Sequence, residues 1–450
     1  MSSRRLIILL TALLFITSLA VAQKQTAGTY STWDADLINS EDVAQTGAGV
    51  YVAVLDTGLV PNWSNYLPKA RIATQLGTGF FQPISFKAQN DVCGLGVTVG
   101  QLRQSGFIGS NSSSHGTHVT STIIGYNYRS NTDAAQGYAL PAIYVRGIAP
   151  DVTIIPVKVL GDYQVPALPK CNGGIPAQVA NFGTDEMIAA GINYVAGLAK
   201  AGYRPMVINM SLGGTELAQV EKDAIDNAIA NGVVIVAAAG NAGESGMDYP
   251  GAYAPVISAG AVGWTGEWIY PGKDFGRYRM WWLKYPFAPL WPGTGEVADP
   301  TSVDQVYVTD FSSRAFSGQE LDVLAPGSWV RGPFEEGNGY SHLPWWSKSL
   351  ADLHNSKLTN FYYVGGTSMA TPHVAAVSAL ILEKNPTLKA ADVESILKSS
   401  ALVMPASGSR DIWNNTAPAT ITWDTDCNGT LCDAVGAGLI QADQAIAITP

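Results

Sequence analysis

From Gly49 onward one pattern recurs along the chain: a short apolar run, a polar loop, then a stretch whose apolar residues return at helical spacing. Continuous apolar runs suit strands buried on both faces, and interleaved amphipathic helices supply the covering layers, so the pattern requires a parallel sheet clothed by helices. The runs at 50–55, 152–159, 205–210, 233–238 and 256–262 are bounded by Gly, Pro or Asn and read as strands. Helical spacing appears at 186–201, 217–231, 369–384 and 390–399, and Gly232 stands where a helix C-terminus favours glycine. The fold class expected is α/β, a three-layer sandwich with a mainly parallel central sheet.

Of the 450 residues, 47% are hydrophobic and 14% charged, so a large buried core is available, against a charged share of about a quarter in ordinary domains. No Pro/Ser-rich linker, charge run or fixed repeat divides the chain after its start, and one domain over 23–450 is expected. The net charge of −10 without a Lys/Arg cluster argues against nucleic acid or anionic lipid as a partner. Residues 1–22 combine Arg4 and Arg5, an apolar run and the small-residue ending Ala20-Val21-Ala22, which are the parts of a signal peptide. A secreted chain, extracellular or periplasmic and without a transmembrane span once processed, is expected, as a monomer. Four cysteines in an exported chain suggest two disulfides. Cys427 and Cys432 can close a short loop, which leaves Cys93 with Cys171, although the sequence alone also allows a free thiol.

Chemistry concentrates at loop positions after the strands, where open α/β sheets carry their reactive groups. Asp56 ends the first strand in Val54-Leu55-Asp56-Thr57-Gly58. His115 stands in His115-Gly116-Thr117-His118-Val119, and Ser368 opens a helix in Gly366-Thr367-Ser368-Met369-Ala370-Thr371-Pro372-His373. Asn241, in Ala239-Gly240-Asn241, offers a side-chain amide. Acyl transfer at neutral pH needs a hydroxyl nucleophile, a base, a carboxylate that orients the base, and donors for the oxyanion, and this set supplies one of each. Taken singly, Asp after a strand is a turn former and Ser before a helix is an N-cap; it is their joint occurrence that points to catalysis. His118 and His373 are read as packing residues.

These segments resemble the subtilases, the subtilisin-like serine proteases, in motif and in the order Asp, His, Ser. The resemblance extends from about Gly49 to Ile446 and takes in Asn209-Met210-Ser211-Leu212-Gly213-Gly214, Asp322-Val323-Leu324-Ala325-Pro326-Gly327 and Gly436-Ala437-Gly438-Leu439. It implies a serine endopeptidase with Ser368 as nucleophile, His115 as base and then acid, and Asp56 orienting the ring. Asn241 and the Ser368 N–H would form the oxyanion hole. Ser211, Leu212 and Gly213 would form the strand that pairs with a protein or peptide substrate. Asp248 would fall near the floor of the pocket for the residue preceding the cleaved bond, where a carboxylate favours Lys or Arg; the plainer reading is an exposed loop Asp. No cofactor is required for such catalysis. A structural calcium ion is usual in the family but is assigned to no residue here, because the segment 120–146 replaces the loop that most often binds it. The alternative is a catalytically silent chain of the same fold serving as a binding module. An esterase of the nucleophile-elbow type is excluded by the motif and by the triad order.

Two departures accompany the resemblance. Only 33 residues separate Ala22 from Asp56, too few for the folding prodomain common in the family. Aromatic-rich insertions near 264–307 and 329–363 carry Trp264, Trp268, Trp281, Trp282, Trp291, Trp329, Trp345 and Trp346. They are expected to pack on themselves and the domain, or else to wall the cleft.

Overall fold

The computed structural model describes residues 29–89, 92–128, 143–171, 174–267, 302–335, 361–414 and 417–450. Residues 1–22, Trp268, Trp281, Trp282, Trp291, Trp345 and Trp346 lie outside these stretches.

The apolar runs form a nine-stranded sheet. Its strands are β1 (Tyr51–Asp56), β2 (Thr78–Phe81), β3 (Arg103–Ser105), β4 (Thr153–Lys158), β5 (Met206–Met210), β6 (Val233–Ala238), β7 (Ile257–Trp264), β8 (Val306–Val308) and β9 (Val323–Pro326). The spatial order is β8-β7-β6-β5-β1-β4-β2-β3, with β9 also pairing β7. All pairings are parallel except those of β8 with β7 and β3 with β2. The five strands expected from sequence are all present, 233–238 with the expected bounds and the other four with ends displaced by a residue or two. The four others are short or sit toward the edges, where apolar runs fade.

Alternation along each strand divides the core in two. Val52, Val54, Val207, Val234 and Val236 face one layer, while Ala53, Leu55, Ile208, Val233 and Ile235 face the other. The first layer is closed by α1 (Ser114–Ile124) and α4 (Thr367–Lys384), the second by α2 (Asp185–Lys200) and α3 (Gln219–Ala230). The result is the expected three-layer sandwich. α4 is buried along nearly all its length, as befits a helix rich in Ala, Val and Leu on every side. Thr184 caps α2, its hydroxyl accepting from the Met187 amide at 3.3 Å. A fifth helix, α5 (Ala390–Ser400), follows. Its Lys398 reaches Glu320 at 2.6 Å, Asp322 at 2.9 Å and Glu394 at 3.3 Å.

Both disulfides suggested by the cysteine count are formed, Cys93 with Cys171 and Cys427 with Cys432. Trp264 ends β7 in the core, so the described start of the first aromatic insertion is anchored in the domain.

Candidate active site

Because β1, β4, β5 and β6 run parallel, their carboxyl ends share one edge of the sheet, and every expected site residue except Asp248 lies at or next to that edge. Asp56 is the last residue of β1 and has no solvent exposure. It accepts from the Thr57 amide at 2.6 Å and faces His115 Nδ1 at 2.8 Å through Oδ1 and 3.0 Å through Oδ2. The loop after Asp56 is stapled to the start of α1 by two threonines. Thr57 Oγ1 donates to the Ser113 carbonyl and accepts from the Gly116 amide, both at 3.0 Å, and Thr117 Oγ1 accepts from the Val60 amide at 3.0 Å. Only glycine fits at two of these positions. A Cβ on Gly58 would meet the Phe107 carbonyl at 2.1 Å, and one on Gly116 would lie 2.4 Å from the Gly58 carbonyl and 3.1 Å from Asp56 Oδ1.

Burial works against charge on the His115 ring, but the Asp56 carboxylate outweighs it, and the imidazole is held above its ordinary pKa. The neighbouring His118 is wholly buried, and burial together with the charge of His115 pushes it down to about 3. It is a neutral packing residue whose Nε2 lies 3.1 Å from the Val330 carbonyl. His373 is buried as well, with Nδ1 2.8 Å from the Met369 carbonyl and Nε2 3.0 Å from Asp34.

Ser368 is the second residue of α4. Its hydroxyl donates to the Ser211 carbonyl at 3.2 Å, and the Ser211 hydroxyl donates back to the Ser368 carbonyl at 2.8 Å. No hydrogen bond joins Ser368 to His115 among the described residues; such bonds are often loose before substrate is bound. Asn241 follows β6, and its oxygen accepts from the Thr367 amide at 2.9 Å and the Thr367 hydroxyl at 3.1 Å. With the oxygen engaged, the amide's two N–H donors remain for the cleft.

Thr57, His115, Ser211, Leu212, Gly213, Asn241 and Ser368 line a single cleft of about 440 Å³. Asp248 is not among the lining residues. It is half-buried one layer behind them, where a Cβ added to Gly213 would lie 2.8 Å from Asp248 Cβ and one on Gly240 would lie 2.6 Å from its Oδ2. Burial pushes this carboxyl up. The cleft also contains Met369 beside the nucleophile, and Leu160, Asn181, Phe182, Ile188 and Phe334, which motif reading passed over because they come from segments outside the quoted motifs. Lys158, likewise unremarked, is Asp56's register partner on β4, and it ties the Thr57 carbonyl at 2.8 Å to the Leu160 carbonyl at 2.6 Å. Among the described residues Glu320, Asp322 and Glu394 form the one cluster of three with metal-ligand spacing. Lys398 already sets its ammonium among these carboxylates, so the group does not fit a divalent cation.

A parallel-sheet sandwich presenting an aspartate, a histidine, a serine and an amide donor at the strand ends describes a class of serine hydrolase, and comparison with known proteins narrows it. The chain belongs to the subtilase family of serine proteases, whose sequence profile matches residues 47–430. It is 32% identical over 293 residues to subtilisin DY of Bacillus licheniformis, covering 64% of this chain and 70% of that protein. To a subtilisin of Bacillus pumilus it is 30% identical over 295 residues, 66% of this chain and 72% of that one. Among solved structures, sphericase superposes with a TM-score of 0.51 at 24% identity, covering 91% of this chain and 97% of that one. Fervidolysin from Fervidobacterium pennivorans gives 0.53 at 22% identity, over 93% of this chain and 46% of that one. At these identities the structural likeness speaks for the fold.

Proposed function

We propose that this chain is an exported endopeptidase that hydrolyses peptide bonds in proteins through an acyl-enzyme, with Asp56, His115 and Ser368 as its triad. The observation that carries the reading is the buried Asp56 carboxylate at 2.8 Å from His115 Nδ1, with His115, Ser368 and Asn241 opening onto one cleft. Bonded to Asp56 through Nδ1, the ring is oriented to use Nε2 as the base. Ser368 Oγ attacks the scissile carbonyl carbon while its proton passes to Nε2. The Asn241 amide and the Ser368 N–H hold the oxyanion. The C–N bond breaks as Nε2 protonates the leaving amine, and water attacks the acyl-enzyme by the same route. Ser211, Leu212 and Gly213 take the substrate as an added strand, which gives affinity with little demand on side chains. Asp248, behind that wall, gives a preference for Lys or Arg before the cleaved bond; a peptide library on wild type and Asp248→Ser tests this, and equal libraries would remove Asp248 from specificity.

Residues 1–22 serve as the export signal and 23–450 as the peptidase domain in this reading. Two disulfides suit an oxidising compartment, and no helix among the described residues is long and apolar enough to cross a membrane. The deciding experiment treats the purified chain and its Ser368→Ala variant with a fluorophosphonate probe and then with casein. Labelling lost in Ser368→Ala, together with casein cleavage by wild type, is expected. A folded chain that takes no label would instead be a silent binding module.

A further inference from the structure

Lys158 is a buried cation for which the triad chemistry has no use. It is the last residue of β4, opposite Asp56 at the end of β1 in the parallel register, and 9% of its surface is exposed. Burial disfavours the ammonium and pulls its pKa down, while the carboxylates of Asp162 and Asp56 act to raise it. A buried charge is costly, and for filling space alone an apolar side chain of the same length would serve better. The ammonium's use is visible at the two strand ends. Thr57 and Leu160 lie past the ends of the β1–β4 ladder, and neither carbonyl accepts from a backbone N–H among the described residues. Lys158 Nζ donates to both, at 2.8 Å and 2.6 Å, with Asp162 Oδ2 at 3.9 Å. Lysine alone among the side chains carries three donors on one atom, which suits it to such a junction.

One branch of the junction leads to the triad. The Thr57 amide donates to Asp56 Oδ1 at 2.6 Å and the Thr57 hydroxyl is tied to the start of α1, so holding Thr57 holds the carboxylate against His115. The Asp56 carbonyl also accepts from the amides of Val159 at 2.9 Å and Leu160 at 3.1 Å, so the segment after Lys158 grips Asp56 through the backbone as well. The other branch leads to the cleft wall. Leu160 lines the cleft, and Asp162 accepts at 2.5 Å from Nδ2 of Asn181, a second lining residue. Asp162 and Asn181 face each other in the hairpin of Gly161–Val165 with Gln178–Phe182. That hairpin is braced by a second one, Ile84–Ala88 with Leu95–Val99, through the ring of Phe86 against Tyr163 and Phe182 and through the Cys93–Cys171 disulfide. The wall is stiff, and Lys158 fastens the Asp56 loop to it.

We propose that Lys158 is a positioning residue for the peptidase reaction, its one ammonium locking the loop that carries Asp56 to the wall of the cleft, so that the carboxylate stays aligned with His115. The inference rests on the peptidase reading and adds to it a residue that is not in the cleft's lining and acts through Thr57 and Asp56.

The test uses two variants of the full chain: Lys158→Met, which keeps the stem and removes the donors, and Lys158→Arg, which keeps both charge and donors. The rate constant for fluorophosphonate labelling of Ser368, taken per folded molecule, should fall about tenfold in Lys158→Met, since misplacing a catalytic group by about 1 Å costs up to about 10². Lys158→Arg should recover part of the loss, whereas a merely structural lysine would change the folded fraction and leave the rate constant alone. A second readout needs no catalysis. In a Ser368→Ala background the proton on His115 Nδ1, bonded to Asp56, gives a far-downfield NMR resonance that His115→Ala identifies. It should move upfield or be lost to exchange with water in Lys158→Met and persist in Lys158→Arg. If Lys158→Met does not fold, Lys158→Gln, whose shorter amide reaches one carbonyl at most, takes its place with the same expectations. A folded wild-type chain that takes no label would end the peptidase reading and leave the resonance to judge Lys158. An unchanged resonance in the folded Met or Gln variant, labelling at the wild-type rate, or a Lys158→Arg chain as impaired as Lys158→Met would each overturn the proposal.

Discussion

Replacing Asp34 by alanine tests how the N-terminal arm is held to the helix that carries Ser368. Asp34 lies in a short helix, Trp33–Leu37, and its carboxylate is 3.0 Å from Nε2 of His373, five residues beyond Ser368 on α4. Both side chains are buried, with 8% exposure for Asp34 and none for His373. Burial acts to raise the Asp34 carboxyl, but hydrogen bonding to His373 and the charge of its ring outweigh it, and the group is held below its ordinary 3.8. Deleting one member of a buried pair strands the other, which costs about 3 to 5 kcal/mol. That is a large share of a net stability of about 5 to 15 kcal/mol. The assay is urea unfolding followed by tryptophan fluorescence, with both proteins in a Ser368→Ala background so that neither digests itself. A carboxyl depressed in the folded state contributes stability that is present above its unfolded pKa and is lost as pH falls through the folded value. The gap between the two proteins should therefore be full at pH 7 and narrow below about 3.8. A gap under about 1 kcal/mol at pH 7, or one that widens toward acid, would refute the reasoning.

Three further outcomes follow from the proposed catalytic roles. Asn241→Ala should lower kcat by about 10² to 10³ with KM little changed, since its amide acts on the oxyanion and not on the bound substrate; steady-state kinetics on one peptide decides it. Because His115 must be neutral to accept the Ser368 proton and its pKa is raised by Asp56, kcat/KM should climb with pH through a limb above 6.5. In Asp56→Asn that limb should move to lower pH while the plateau falls by about 10⁴, both read from a pH profile. Gly116→Ala should cost far more activity than an exposed Gly→Ala substitution, since its Cβ would press on the Gly58 carbonyl at 2.4 Å and on Asp56 Oδ1 at 3.1 Å; probe labelling of the folded variant would show it.

Sequence was most legible where local physics dominates. The run 233–238 is apolar at every position and bounded by Gly232, and it forms β6 over Val233–Ala238. Asp56, His115 and Ser368 were readable because strand ends and helix starts are themselves local signals, and the structure brings their elements to one edge. The Asp34–His373 contact joins residues 339 apart, and although His373 stands in the Ser368 motif and reads as a packing residue, nothing local marks Asp34 as its partner. The 84–99 hairpin illustrates a different difficulty. Its alternation is present in Ile84-Ser85-Phe86-Lys87-Ala88, yet each strand has only five residues and the turn between them holds a cysteine whose partner lies 78 positions away. Phe182 entered the cleft unannounced for a related reason, since its strand, Gln178–Phe182, is only half-buried and has no apolar run.

The order of the sheet also governs when the chain becomes dangerous. β1 lies between β4 and β5, strands made some hundred and more residues later, so its edges stay unpaired until much of the protein exists. Asp56 must then find His115 across 59 positions, and the Ser368 backbone must meet Ser211 across 157. Such long-range closure is slow, and nothing short of its completion assembles the reactive groups. For the proposed peptidase, topology would thus act as a timer: a nascent or half-collapsed chain is prey for proteases, and only the finished one would bring the proposed triad together.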